Sequence, residues 1–174
     1  MSAGAAKRTA PKRGAKVRVA SAARIAVDDC ARCVLGSEPF VTYGYTRASC
    51  RRLVRRDGRT RFLVARVGGR VVGIAVYDPH FLNGAYLRLI AVDPTYRGRG
   101  VGAALMRALE TAAGRAVYLC VTDFNRRAQA FYRRRGYQRV GILTDHAKPG
   151  VDEWLLRRLR TISNHHGTRL AGIH

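Results

Sequence analysis

Leu89-Ile90-Ala91-Val92-Asp93-Pro94-Thr95-Tyr96-Arg97-Gly98-Arg99-Gly100-Val101-Gly102 is the stretch on which the fold turns. Its first residues close a near-continuous apolar run that begins at Tyr86, the pattern of a strand in a central position. Asp93-Pro94 ends that strand, since proline has no N–H to give to a ladder. Beyond the glycines, Val101, Leu105, Leu109 and Ala112 recur at helical spacing. Strand, glycine loop and helix, in that order, have the physics of a phosphate site. The first turn of a helix leaves N–H groups unpaired and carries partial positive charge. Glycines let the main chain approach a pyrophosphate, and Arg97 and Arg99 add charge. Alone, the loop would equally suit a glycine-rich tight turn. It is not a Walker A loop, which needs Gly-Lys-Ser/Thr. Nor is it a dinucleotide fingerprint, because Gly98, Gly100 and Gly102 have the wrong spacing and residues 117–121 offer no acid.

Working outward, Phe62-Leu63-Val64-Ala65-Arg66-Val67 and Val71-Val72-Gly73-Ile74-Ala75-Val76 flank Gly68-Gly69, which predicts a β-hairpin. Residues 78–84 are expected to form a loop. Upstream, a short strand at 17–19 precedes a helix through Cys33 and Leu35, capped by Asp28 or Asp29 and broken at Glu38-Pro39. A second helix is expected over 47–56, with Asp57-Gly58 as a turn. Downstream, residues 117–121 form a buried strand. Thr122-Asp123-Phe124-Asn125 turns into a helix through Ala128, Phe131 and Tyr132, closed by Gly136. Strands near 137–143 and 152–159 complete an α+β domain over 17–160. Residues 1–16 read as a disordered basic tail and 161–174 as a flexible C-terminal tail.

The central stretch resembles the main motif of the GNAT (GCN5-related) N-acetyltransferases, an Ala-Val-x-Pro strand end followed by Gln/Arg-x-x-Gly-x-Gly/Ala and a helix. Asn125-x-x-Ala128-x-x-Phe131-Tyr132-x-x-x-Gly136-Tyr137 resembles the family's next motif, in its order and at its usual separation. Ser37-Glu38-Pro39-Phe40 and Pro149-Gly150-Val151-Asp152-Glu153 resemble a subgroup of the family. The resemblance implies one domain with a central mixed, mostly antiparallel sheet of about seven strands, flanked by about four helices. It implies acetyl-CoA as cofactor, held by Arg97, Gly98, Arg99, Gly100, Val101 and Gly102, with Ile90 and Val92 pairing to its pantetheine arm and Asn125 hydrogen-bonding it. Asn125 is also among the best helix N-caps.

The reaction implied is direct attack of an amine on the acetyl thioester in a ternary complex. Tyr132 matches the general acid, and a phenol of pKa about 10 stays protonated until the thiolate forms. The general base is not matched. In the ribosomal-protein acetyltransferases of the family it stands five residues before the motif Asn, where this chain has Cys120, which speaks against that specificity. Glu38, His80, Asp123, Asp152 and a water chain remain candidates. No metal is expected: Cys30-x-x-Cys33 lacks a second ligand pair, and at i, i+3 the two thiols share a helix face and read as core.

Composition fits this picture. Apolar residues make up 47% of 174, enough for a core, and no run of about 18 apolar residues forms a membrane span. Four cysteines and the lack of a secretory signal point to a cytoplasmic setting. The 33 Lys and Arg against 11 acidic residues give a net charge of +22, which attracts anions. The arginines of residues 47–70 and the Arg133-Arg134-Arg135 triplet raise RNA or an acidic partner as alternatives to a small-molecule or protein amine acceptor, although no aromatic residues interleave them. A non-catalytic acetyl-CoA-binding module is the other alternative. A monomer or a homodimer is expected.

Overall fold

The computed structural model describes residues 16–55 and 57–160, so the two expected tails fall, apart from Lys16, outside the described residues. Among these residues the strands are β1 (Arg18–Ala22), β2 (Arg61–Val67), β3 (Arg70–Phe81), β4 (Gly84–Val92), β5 (Ala116–Thr122), β6 (Gln138–Lys148) and β7 (Val151–Leu159). The helices are α1 (Val27–Val34), α2 (Arg47–Leu53), α3 (Val101–Ala112) and α4 (Arg126–Arg134). All strands join one sheet in the order β1-β2-β3-β4-β5-β7-β6. β4 and β5 run parallel, joined by the α3 crossover, and the other neighbours are antiparallel. This is the mixed, mostly antiparallel α+β sheet that the sequence implied.

Alternation along the strands divides the core in two. Leu63, Ala65, Val72 and Ala75 face α3, where Leu105, Met106 and Leu109 are fully buried. Phe62, Val64, Ile74 and Val76 face the opposite layer, where Cys30, Cys33 and Cys50 of α1 and α2 are sealed from solvent. Full burial of a Leu-sized side chain contributes roughly 1.5–3 kcal/mol, so both layers hold the sheet.

Several expected boundaries move, each for a local reason. β3 continues through 78–81, expected to be a loop, because Asp78 and Phe81 pair with Tyr86 and Gly84 across an irregularity that accommodates Pro79. The N-cap of α1 is Ala26, not Asp28 or Asp29; those carboxylates lie in the first turn, where the helix dipole favours them. α2 ends at Leu53 rather than 56, with the Val54 N–H turned back to Cys50 and Arg52 carbonyls. Ala112 is exposed, and Met106 and Ala113 complete the buried face of α3 instead. β6 runs on to Lys148, five residues past the expected end.

Two features of β4 create the site. Val76 pairs with Leu89 but Tyr77 pairs with Leu87, so Arg88 is an extra residue in the ladder, a β-bulge. The bulge reverses the alternation: Leu87 packs against the α3 layer and Leu89 against the α1 layer. It also bends β4 away from β5. The two strands pair only from Gly84↔Ala116 to Leu87↔Leu119. At the closed end Gly84 is required, since a Cβ there would lie 2.0 Å from the Ala116 carbonyl oxygen. Beyond Leu87 the strands have separated.

Candidate active site

Separation of β4 from β5 leaves main-chain groups of β4 without a strand partner. The Asp93 N–H donates to Val72 O at 2.9 Å. By the two-residue alternation of an antiparallel ladder, Ile90 and Val92 therefore turn their N–H and C=O groups away from β3, into the gap. Both residues line a cleft of 780 Å³ that continues over the glycine loop and along α4.

The loop beneath has the form that phosphate binding needs. Asp93 opens it: its carboxylate accepts from Thr95 N (3.0 Å), Thr95 Oγ1 (2.6 Å) and Arg70 Nη2 (3.1 Å). Burial pushes that carboxyl upward, but these donors outweigh it and hold the group below its usual value. Gly100 caps α3 in the left-handed region at φ 77°, with no side chain accepting from the first turn, so those N–H groups face the cleft mouth unpaired by any cap. A Cβ on Gly98 or Gly100 would meet nothing; positive φ, not space, is what selects glycine there. At Gly102 a Cβ would make ordinary contact with Phe131 and Val92.

The arginines separate into different roles. Arg97 lines the cleft and donates to Ser37 Oγ, tying the loop to the segment after α1. Arg99 does not line it; its guanidinium lies over the Tyr96 ring, 5.7 Å from the centroid. Arg126, Arg127 and Arg134 of α4 do line it, which the sequence reading missed. The Arg133–Arg135 triplet is thus not one basic surface. Arg134 faces the cleft, while Arg135 donates to Glu110 at 2.7 Å. The arginines between 47 and 70 are likewise dispersed, Arg47 to Asp28 and Arg70 to Asp93 among them. Orphan N–H groups, an open glycine loop and three neighbouring arginines on α4 together suit a cofactor that carries pyrophosphate.

On the other side of the gap lies a cavity of 370 Å³. Glu38, Phe40, Ile90, Asn125, Ala128 and Tyr132 line both spaces, so they form the partition between them. Asn125 caps α4, its Oδ1 accepting from Ala128 N at 3.1 Å. Tyr132 sits about two turns beyond that cap, 5% exposed and packed edge-on between Phe131 and Tyr137. Burial raises its phenol well above the ordinary range, with a small opposing pull from Arg135.

Of the four side chains expected as base, only Glu38 lines the cavity; it accepts from Thr42 Oγ1 at 2.8 Å. His80 is exposed on β3, and Asp123 and Asp152 meet through their main chains at 3.0 Å; none of the three lines either space. The carboxylate that enters is Glu153, 8% exposed, accepting from Tyr43 O–H at 2.7 Å. Burial and that hydrogen bond raise the Tyr43 phenol. Glu153 pairs with Thr122 and Leu155 with Cys120, so Glu153 and Cys120 are diagonal neighbours on one face of the sheet. β7 thus brings a carboxylate beside Cys120 of β5. Burial raises the Cys120 thiol, partly offset by a hydrogen bond from Tyr86. His146 of β6 lines the cavity too, and Lys148 on the same strand donates from Nζ to Thr42 O at 3.0 Å. Nothing in the spacing of residues 143–153 located His146. For Glu153 a signal existed in Pro149-Gly150-Val151-Asp152-Glu153, but the sequence reading took the adjacent Asp152. Period 2 puts those two carboxylates on opposite faces.

Among the described residues no group of three or more His, Cys, Asp or Glu side chains is placed to hold a metal ion, and no helix is long and apolar enough to cross a membrane.

A glycine loop with unpaired N–H groups, beneath a split parallel strand pair, suits an acyl-CoA-dependent transferase. Residues 25–137 match the acetyltransferase (GNAT) family, and the chain belongs to it: an N-acetyltransferase with acetyl-CoA as its donor. It is 33% identical over 135 residues to the N-alpha-acetyltransferase RimI of Mycobacterium tuberculosis, covering 74% of this chain and 80% of the relative. The fold is similar to that of the ribosomal-protein-S18-alanine N-acetyltransferase from Escherichia coli (TM-score 0.68, 18% identity, 86% of this chain and 97% of the other). It is also similar to that of a Bacillus anthracis protein solved in complex with acetyl coenzyme A (TM-score 0.55, 19% identity, 63% and 67%).

Proposed function

We propose that the enzyme acetylates a primary amine that enters the 370 Å³ cavity, with Tyr132 as general acid and Glu153 as general base. The observation that carries this reading is the position of Tyr132 in the partition between the two spaces, where one group can serve a donor on one side and an acceptor on the other. Bound acetyl-CoA supplies a thioester whose C–S bond breaks as the C–N bond to the amine forms. Glu153 takes the proton that the amine must lose, and Tyr43, donating to its Oε1, orients that carboxylate. Tyr132 gives its proton to the departing sulfur; burial, by raising its pKa, keeps the proton in place until then. The main-chain groups of Ile90 and Val92 orient the donor arm, and the start of α3 with Arg97, Arg126, Arg127 and Arg134 binds the phosphates.

Among amines, the α-amine of a polypeptide is the best-supported acceptor. RimI of Mycobacterium tuberculosis, of which 80% is covered, is named an N-alpha-acetyltransferase, and a groove of 670 Å³ that shares Tyr43, Tyr45 and Arg88 with the cavity has room for the residues behind an N-terminus.

Thiol release from acetyl-CoA, measured over a panel of peptides and small amines, tests the reading. Tyr132→Phe is expected to lower kcat by about 10²–10⁴, the usual scale of general-acid catalysis, with acetyl-CoA affinity retained. Unchanged turnover in that variant would remove Tyr132 from the chemistry.

A further inference from the structure

Beyond the acceptor cavity lies a groove of 670 Å³ that shares Tyr43, Tyr45 and Arg88 with it. The two compartments carry opposite charge. Glu38 and Glu153 face the inner one. Arg52, Arg55 and Arg88 line the outer one, against the single carboxylate of Asp57. Asp57 is already engaged: it accepts from Arg59 N (3.0 Å), Thr60 N and Thr60 Oγ1 (both 2.8 Å), and its second oxygen lies 3.5 Å from Arg88 Nη1. Those donors hold its carboxyl down at about 2, so it remains an anion that answers Arg88 alone. The Arg52 guanidinium donates to the neutral Ser49 Oγ at 3.2 Å, and the Arg55 guanidinium, whose own main-chain N–H donates to Arg52 O at 3.3 Å, has no hydrogen-bond or ion-pair partner among the described residues. Two guanidinium groups, one on the last turn of α2 and one just beyond it, thus line the groove without a counter-charge among the described residues.

We infer that this groove selects acceptors that carry a carboxylate behind the amine: a polypeptide N-terminus with Asp or Glu in the positions that follow the acetylated residue. This rests on the reading that Glu153 and Tyr132 mark the amine's place. An acceptor with its cationic end at the Glu153 cavity must leave past Tyr43, Tyr45 and Arg88, and its next side chains then meet Arg52 and Arg55. A carboxylate there forms charge-assisted hydrogen bonds with guanidinium donors, while a lysine meets like charge.

The test uses three hexapeptides of one sequence, with Glu, Gln or Lys at the second and third positions, and free glutamate and aspartate as the small-molecule arm. The full chain is assayed for thiol release with acetyl-CoA. The Glu peptide is expected to exceed the Gln peptide in kcat/KM by about tenfold, and the Lys peptide by more. In Arg52→Ala/Arg55→Ala the Glu-over-Gln ratio should fall to about one, and Arg52→Glu/Arg55→Glu should favour the Lys peptide. A ratio near one in the unaltered enzyme overturns the inference, as does a ratio that the substitutions leave unchanged. Turnover of free glutamate with none of the peptides would keep the anion rule and overturn the polypeptide source.

Equilibrium binding of the fluorescein-labelled Glu peptide, in the presence of coenzyme A, separates this inference from the catalytic assignment. Binding that needs Arg52 and Arg55 supports the groove even when Glu153 proves not to be the base. Equal binding of all three peptides, or displacement of the Glu peptide by a short RNA oligonucleotide at lower concentration, sinks it.

Discussion

The two sides of the β4–β5 gap are built in different ways. The donor side comes mainly from a single run of chain: β4, the loop at 93–100, and the start of α3, with α4 as its further wall. The groups proposed to work there are main-chain N–H and C=O groups, set by where strands pair and where a helix starts, together with arginines of the loop and α4. The acceptor side is assembled from side chains far apart in sequence: Tyr43 after α1, Tyr86 on β4, Cys120 on β5, Glu153 on β7 and His146 on β6. A main-chain site tolerates change in its side chains and so can keep one ligand. A side-chain site can be rebuilt residue by residue, which suits a fold that keeps its donor while its acceptor varies.

The largest effect that separates the sides, beyond loss of the shared acid, is expected at Glu153. Glu153→Gln keeps shape and the Tyr43 contact but removes the proposed base. It should lower kcat by about 10²–10³, with the KM for acetyl-CoA nearly unchanged, in steady-state thiol-release kinetics. A rise in the acetyl-CoA KM with kcat retained would place Glu153 on the donor side and break the division.

The reverse signature is expected at Gly100. A valine there must be held at φ 77°, which costs roughly 1–2 kcal/mol for an L-residue. The loop will relax away from its cradle instead. The KM for acetyl-CoA should rise by about tenfold while kcat changes far less, since tenfold corresponds to about 1.4 kcal/mol. Loss of kcat alone would show that loop geometry acts on the chemistry.

Sequence and structure agree unevenly across this divide, and the reason is physical. Gly100 and the Asn125 cap were legible because each is demanded by a local backbone condition, positive φ or a helix start, which leaves its mark within a few residues. Glu153 stood within the motif at 149–153 but was not singled out, because its place in the cavity depends on β7 lying beside β5, a long-range pairing that no local pattern encodes. Arg88 was legible as a strand residue, and a bulge near the splay of this strand was implied by the family resemblance alone; no local pattern placed it on Arg88, since one extra residue leaves the apolar pattern of residues 86–92 almost intact. The hairpin at Gly68-Gly69 was plain, whereas the extension of β3 through Pro79 was hidden, because proline normally argues against a strand.

A smaller effect belongs to Asp93, which fixes the start of the donor loop. Its carboxyl is held below the ordinary value of 3.8 in the folded state. The stability it contributes is therefore full above about pH 4 and lost as pH falls through the lower folded value. Asp93→Asn should lower stability at pH 7 by roughly 1–3 kcal/mol, seen as a drop in Tm. It should also flatten the fall in Tm below pH 4. A Tm–pH curve parallel to that of the unaltered protein would show that other carboxylates carry the acid sensitivity.

Hydrogen exchange at β4 tests the central claim most directly, namely that the open edge of this strand receives the donor. In the free enzyme the amides of Ile90 and Val92 should exchange faster than those of Leu89 and Ala91, which are paired to β3. Addition of acetyl-CoA should slow Ile90 and Val92 by about tenfold or more and leave Leu89 and Ala91 nearly unaltered. Unchanged exchange at Ile90 and Val92 under saturating acetyl-CoA would contradict the account.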